Sequence, residues 1–295
     1  MKVARTKAEL AAELAGARGA RSSIGLVPTM GALHEGHLAL LAAARERCDV
    51  VVMSLFVNPA QFRPGEDLEA YPRDERRDAE LAESAGVDVL YAPGTAEVYP
   101  GGFATTVEVG GGLTDVLDGD PERRGPEHFN GVTTVVAKLF NAVGPDVAFF
   151  GQKDVQQAVV IRRMARDLDF PVEIVVVPTV REPDGLAMSS RNVYLGDEDR
   201  RRAAALSRAL RAAEDVVAGG ERSVEAALAA ARTELAEAGI EPEYLEARDA
   251  EDLAQVRSFN GRAVVIALAA RVGPARLIDN VVIGGPGDAE AAPAE

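Results

Sequence analysis

Residues 24–37 read Ile-Gly-Leu-Val-Pro-Thr-Met-Gly-Ala-Leu-His-Glu-Gly-His. The apolar run Ile24, Leu26 and Val27 ends at Pro28, a glycine-containing turn follows, and an alternation suited to a helix begins at His37. The stretch therefore predicts a strand over 24–28, a tight loop, and a helix over about 37–47. Two of the chain's three histidines, His34 and His37, sit three residues apart in it. Backbone N–H groups at a helix start are unpaired and carry the positive end of the helix dipole, so phosphate oxygens are favoured there, and imidazoles add donors. From this stretch by itself, two histidines that merely cap the helix are as good a reading. Zinc is a weaker one: His-x-x-His differs from the His-Glu-x-x-His of metalloproteases, and the other soft ligands are His128 and Cys48.

The same alternation continues outward. Residues 6–18 predict an amphipathic helix with Leu10 and Leu14 on one face. Residues 49–57 are a continuous apolar run, as in a strand covered on both faces, and Asn58-Pro59-Ala60-Gln61-Phe62 follows its end. A helix over about 74–86, a strand at Val87–Tyr91, an alternating strand around Ala104–Val109, a helix over about 131–142 and a strand at Asp146–Phe150 come next. The loop Gly151-Gln152-Lys153-Asp154, a helix from Val155 to about Leu168 and a buried strand at Val172–Val177 complete an α/β pattern. Strands alternating with helices predict a Rossmann-like parallel sheet, whose ligands bind beyond the carboxyl ends of its strands. The loops at 28–37, 58–62 and 151–157 all leave such ends.

Pro178–Ala187 has the Pro and Gly content of a hinge, and Met188-Ser189-Ser190-Arg191-Asn192 follows it. Helices over about 197–217 and 223–238, then strands near 243–248, 262–269 and 275–282, predict a smaller α+β domain. The expected organisation is a first domain over 1–179, a lid domain over 180–283 and a disordered tail over 284–295.

Composition narrows the function. A formal net charge of −15 argues against a general nucleic-acid binder. No run reaches membrane-span length, the N-terminus lacks the apolar core of a signal peptide, and a single cysteine suits a reducing cytoplasm. Lysine occurs only at Lys2, Lys7, Lys138 and Lys153, so a lysine in the 151–157 loop draws attention.

Neither Gly-x-x-x-x-Gly-Lys-Ser/Thr nor a Gly-x-Gly-x-x-Gly after a strand occurs. Instead, His34-Glu-Gly-His37 and Met188-Ser-Ser-Arg191 together resemble the paired signatures of the HIGH-type nucleotidyltransferase superfamily. With Phe56-Val57-Asn58-Pro59-x-Gln61-Phe62, Tyr71-Pro72-Arg73, Phe149-Phe150-Gly151-x-Lys153-Asp154-x-Gln156-Gln157 and Pro178–Asn192, the chain from about residue 1 to 283 is similar to the pantothenate synthetase family. The Asn58–Phe62 and Lys153–Gln157 blocks argue against a cytidylyltransferase-like enzyme, and intact His34, His37, Lys153 and Arg191 against a regulatory protein without catalysis.

The resemblance implies a cytoplasmic homodimer that joins pantoate to β-alanine with ATP and Mg²⁺ through a pantoyl-adenylate. It implies catalytic roles for His34, His37, Lys153, Ser189, Ser190 and Arg191. ATP contacts are implied for Met30, Gly31, Ala32, Leu33, Glu35 and Gly36, for Gly151, Gln152 and Asp154, and for Val180 and Met188. Gln61, Gln157, Met30 and Phe62 would hold pantoate, and Gln61 also β-alanine. No covalent enzyme intermediate is expected, so neither Cys48 nor a serine is a candidate nucleophile. Asp78 is the candidate Mg²⁺ contact, in a stretch where some members carry an acidic cluster and this chain has Arg76 and Arg77; otherwise the nucleotide's phosphates would hold the metal. Asn130 is a second departure from the commoner family pattern.

Overall fold

A computed structural model describes residues 1–63, 65–66 and 68–284. The tail expected over 284–295 lies outside the described residues from 285 onward. The chain divides into two compact units, Met1–Gln152 with Val160–Pro178, and Lys153–Val159 with Thr179 onward. Lys153–Val159, which the sequence reading leaves in the first domain, groups with the second unit.

The first unit contains β1 (Lys2–Ala4), α1 (Lys7–Ala20), β2 (Ile24–Thr29), α2 (Glu35–Arg47), β3 (Val50–Leu55), α3 (Glu75–Ser84), β4 (Val89–Tyr91), the single turn α4 (Thr95–Val98), α5 (Pro126–Val143) and β5 (Val147–Gly151). Helix α6 (Val155–Asp167) leads into β6 (Glu173–Val177). The six strands are all parallel, in the order β1-β4-β3-β2-β5-β6. This is the expected Rossmann-like sheet.

Local chemistry sets the element boundaries. Thr6 and Glu9 form a capping box that starts α1, and Arg21 ends it in the left-handed region at φ 58°. Leu10 and Leu14 are both buried, as the periodicity predicts. Asp74 caps α3 by accepting the Arg77 N–H. Pro126 occupies the first turn of α5 and Gly144 closes it in the left-handed region. Consecutive residues of β2 from Ile24 to Val27 are buried, so both faces of the strand are covered, and Leu26, Val27, Leu41, Met53, Leu90 and Phe149 fill the surrounding core.

Two expectations in this unit are corrected. Residues 104–109 form no strand; the Val107 N–H donates to Thr134 Oγ1 and its carbonyl accepts from Thr133 Oγ1, so side chains of α5 satisfy a backbone that finds no partner strand. His128 lies inside α5, which begins at Pro126 and not near 131.

In the second unit α7 (Asp197–Ala203) and α8 (Ala205–Ala218) replace the single helix expected over 197–217; they meet at Ala204, whose backbone stays right-handed. Helix α9 (Val224–Glu237) follows, then an antiparallel sheet of β7 (Pro242–Asp249), β8 (Val264–Val272) and β9 (Ala275–Ile283) in the order β7-β8-β9. Leu206, Leu210, Leu228, Leu235, Ile266 and Leu268 lie in the core between these helices and the sheet. This is the expected smaller α+β unit.

Candidate active site

Strand order in the first unit creates a crevice. Strand β2 lies between β3 and β5, so connections leave it in opposite directions, and ligands of such sheets bind at that switch point. Pairing of β2 with β5 reaches only Leu26, whereas pairing with β3 continues to Thr29. Pro28, which has no N–H to give, falls where β2 has parted from β5.

The loop after β2 turns through two left-handed residues, Gly31 at φ 89° and Ala32 at φ 52°. An alanine held there costs roughly 1 kcal/mol and needs compensation. Asp78 supplies it: Oδ2 accepts the Ala32 N–H at 2.9 Å and Oδ1 accepts the Leu33 N–H at 2.8 Å, with the Asp78 residue only 1% exposed. A Cβ on Gly31 would lie 2.8 Å from Asp78 Oδ2, so glycine is required for this approach. Arg77 adds a bond from Nη1 to the Leu33 carbonyl at 3.3 Å. Each Asp78 oxygen is engaged by one backbone amide, which leaves at most one further lone pair on each. Among the described residues no group of three or more His, Cys, Asp and Glu could hold a metal ion. The Ala32 and Leu33 amides are likewise committed to Asp78.

His34 is the N-cap of α2. Its Nδ1 accepts the Gly36 N–H at 3.1 Å, and the His34 N–H donates to His37 Nδ1 at 3.3 Å. The rings lie 4.2 Å apart between centroids, tilted by 41°. The two histidines thus do cap the helix. A nitrogen that accepts an N–H carries no proton, so each neutral ring keeps its proton on Nε2, the end facing away from the cap.

After β3, Asn58 organises a buried network. Its Nδ2 donates to Gln61 Oε1 and to the Gly131 carbonyl, both at 3.0 Å, and its Oδ1 accepts from Tyr99 OH at 2.8 Å. Burial pushes the Tyr99 phenol up to about 12, so it remains a donor. With Oε1 held by Asn58, the side chain of Gln61 is oriented with its amide NH₂ away from that bond. The Gln61 backbone carbonyl is 2.7 Å from His128 Nδ1. Burial lowers the His128 pKa to about 4, helped by Arg124, so the ring is neutral and donates through Nδ1. A Cβ on Gly131 would meet the Ala60 carbonyl oxygen at 2.3 Å, so α5 packs directly onto the Asn58–Gln61 turn. Phe62 stacks edge-on against Tyr71 at 5.9 Å, and Met30 is half-buried. Asn130 Oδ1 is buried without a hydrogen-bond partner among the described residues. Gly151 and Gln152 stand at the end of β5.

In the second unit Lys153 Nζ is 3.4 Å from Asp154 Oδ2, and Gln157 is half-buried on the first turns of α6. The segment expected as a hinge is, from Val180 on, a closed hairpin: the Met188 N–H donates to the Val180 carbonyl at 3.0 Å and the Glu182 N–H to the Leu186 carbonyl at 2.8 Å. Asn192 ties Glu182 to the Ala187 carbonyl, and Arg200 pairs with Glu182 and Asp184. Ser189 caps the following turn, its Oγ accepting the Arg191 N–H at 3.3 Å, while Ser190 and Arg191 are half-buried.

Sequence reading missed Tyr99 and His128 as supports of Gln61 and the amide-binding role of Asp78. A buried polar residue has no linear signature; for Asp78, its place on the apolar face of α3 was the one available hint.

A family model described as Pantoate-beta-alanine ligase matches residues 2–282. The chain is 54% identical over 284 residues to the pantothenate synthetase of Moorella thermoacetica, covering 96% of this chain and 99% of that protein. It is 54% identical over 283 residues to pantothenate synthetase 1 of Bradyrhizobium diazoefficiens, covering 96% and 98%. A crystal structure of pantothenate synthetase from Thermus thermophilus matches with a TM-score of 0.88 at 49% identity, over 97% of this chain and all of that one. A pantoate-beta-alanine ligase from Francisella tularensis, complexed with beta-gamma ATP and beta-alanine, matches with a TM-score of 0.77 at 33% identity, over 96% and 97%.

Proposed function

The chain belongs to the pantoate-beta-alanine ligase family, and from that membership we infer that it condenses pantoate with β-alanine at the expense of ATP, by way of a pantoyl-adenylate. The observation that carries the residue assignments is the pair of capped imidazoles, His34 and His37, at the switch point of the sheet.

In the first half-reaction a carboxylate oxygen of pantoate attacks the α-phosphorus of ATP, the bond from that phosphorus to the bridging oxygen breaks, and pyrophosphate leaves. Two anions must be aligned and the growing phosphate charge stabilised. The Nε2–H groups of His34 and His37 donate to the phosphate oxygens, His37 nearest the departing pyrophosphate. Lys153, Ser189, Ser190 and Arg191 serve the same triphosphate. Met30 and Gly36 border the nucleotide beside the histidines, and Gly151, Gln152, Asp154, Val180 and Met188 bind its adenosine side.

Gln61 and Gln157 hold pantoate through amide donors that add no negative charge, with Met30 and Phe62 against its dimethyl carbon. In the second half-reaction the amine nitrogen of β-alanine, also guided by Gln61, attacks the acyl carbon. The carbon–oxygen bond to AMP breaks, the amine loses a proton, and pantothenate and AMP leave. Mg²⁺ enters with ATP as part of the substrate, held chiefly by the nucleotide's phosphates. The enzyme works as a cytoplasmic homodimer, with neither membrane nor nucleic acid as a partner.

Incubation with ATP, Mg²⁺, pantoate and β-alanine tests the reading. AMP should form only when both organic substrates are present; formation without either one sinks the assignment.

A further inference from the structure

Strand β9 carries a polar pair, Asp279 and Asn280, each 2% exposed, between Leu277 and Val281. Carboxylate and amide groups buried in a strand cost folding free energy unless bonded. Their partners lie in the two segments of the second unit assigned above to the phosphates. Arg181 grips Asp279 with two parallel bonds, Nη1 to Oδ2 at 2.6 Å and Nη2 to Oδ1 at 3.0 Å, and its Nη1 also donates to the Gly185 carbonyl at 3.2 Å. Asp279 thereby holds the hairpin that leads into Met188–Arg191. Its neighbour Asn280 donates from Nδ2 to the Lys153 carbonyl at 3.0 Å. The charge of Lys153 also reaches the Asp279 carboxylate. Lys153–Val159 accordingly groups with this unit and not with the sheet from which β5 delivers it.

We propose that Asp279 and Asn280 are positioning residues for adenylate formation: Asn280 fixes the backbone from which the Lys153 ammonium projects, and Asp279, through Arg181, fixes the hairpin carrying Ser189–Arg191. The proposal rests on the reading of Lys153 and Ser189–Arg191 as phosphate-binding groups. Two neighbouring residues of one strand set both, so the lysine and the serine–arginine loop keep a constant spacing, and small misplacement of such groups is costly to rate.

Pantoate-dependent exchange of labelled pyrophosphate into ATP tests this in Asn280→Asp, which keeps the shape but turns an acceptor toward the Lys153 carbonyl, and in Asn280→Ala. The KM for ATP should rise about tenfold with the pantoate KM nearly unchanged, while the thermal midpoint falls only by what one unbonded buried polar group costs. Should Asn280→Asp fail to fold, Asn280→Ala carries the test. Lys153→Ala is the control: if it retains exchange, the underlying reading of Lys153 falls. If Lys153→Ala loses exchange while both Asn280 variants keep the wild-type KM for ATP, the positioning role is overturned. Parallel rises in both KM values would also overturn it, because they indicate general loosening of the fold.

Discussion

Asp78 holds Leu33 by its backbone: Oδ1 accepts the Leu33 N–H at 2.8 Å, and the second oxygen takes the amide of Ala32 next to it. The carboxylate fills the anion-binding concavity that two successive left-handed residues create, so the loop bearing His34 is set before any ligand arrives. Asp78→Asn leaves one of these amides without an acceptor and should cost about 2–3 kcal/mol in urea unfolding. Its Mg²⁺ requirement should match that of the wild type. A shifted Mg²⁺ dependence with unchanged stability would make Asp78 a metal ligand instead.

Gln61 presents its amide NH₂ because Asn58 holds the carbonyl end. If Gln61 holds pantoate as proposed, removing that donor should affect pantoate and not the nucleotide. Steady-state kinetics of Gln61→Ala should show the pantoate KM raised by about tenfold or more, with the ATP KM within about twofold. Equal increases for both substrates would show that Gln61 is misassigned.

His128 gives the native state a pH-dependent weakness. An unfolded imidazole titrates near 6.5 and the buried one near 4, so between these values the unfolded chain binds the extra proton. Stability is therefore full above about pH 6.5, falls as the pH drops toward about 4, and loses on the order of 3 kcal/mol from this group across the window. His128→Asn, whose amide can still donate to the Gln61 carbonyl, should flatten that part of the stability profile in urea melts at a series of pH values. An unchanged slope would mean that His128 is not the group responsible.

The legible parts of the molecule were those encoded locally. Pro28–His37 announces a strand, turn and helix start because each depends on residues within a few positions, and the parallel sheet follows from repeating that unit. The strand expected over 104–109 failed because alternation cannot reveal whether a partner strand exists; these residues bond to Thr133 and Thr134 instead. His34 and His37 were legible as a helix start, and the structure shows the cap made through Nδ1 of each ring. The supports of the site were illegible for one physical reason. Asp78 acts on Leu33, Tyr99 on Asn58, His128 on Gln61 and Asn280 on Lys153, and each pairing is made only when the chain folds.

In the proposed reaction the imidazoles that cap α2 stabilise charge on the phosphates as pantoyl-adenylate forms. Pantoate-dependent pyrophosphate exchange into ATP by His37→Ala, with the fold verified by circular dichroism and thermal melting, tests it most directly. Exchange should be reduced by about a hundredfold or more in a folded protein. Exchange at the wild-type rate in that variant would contradict it.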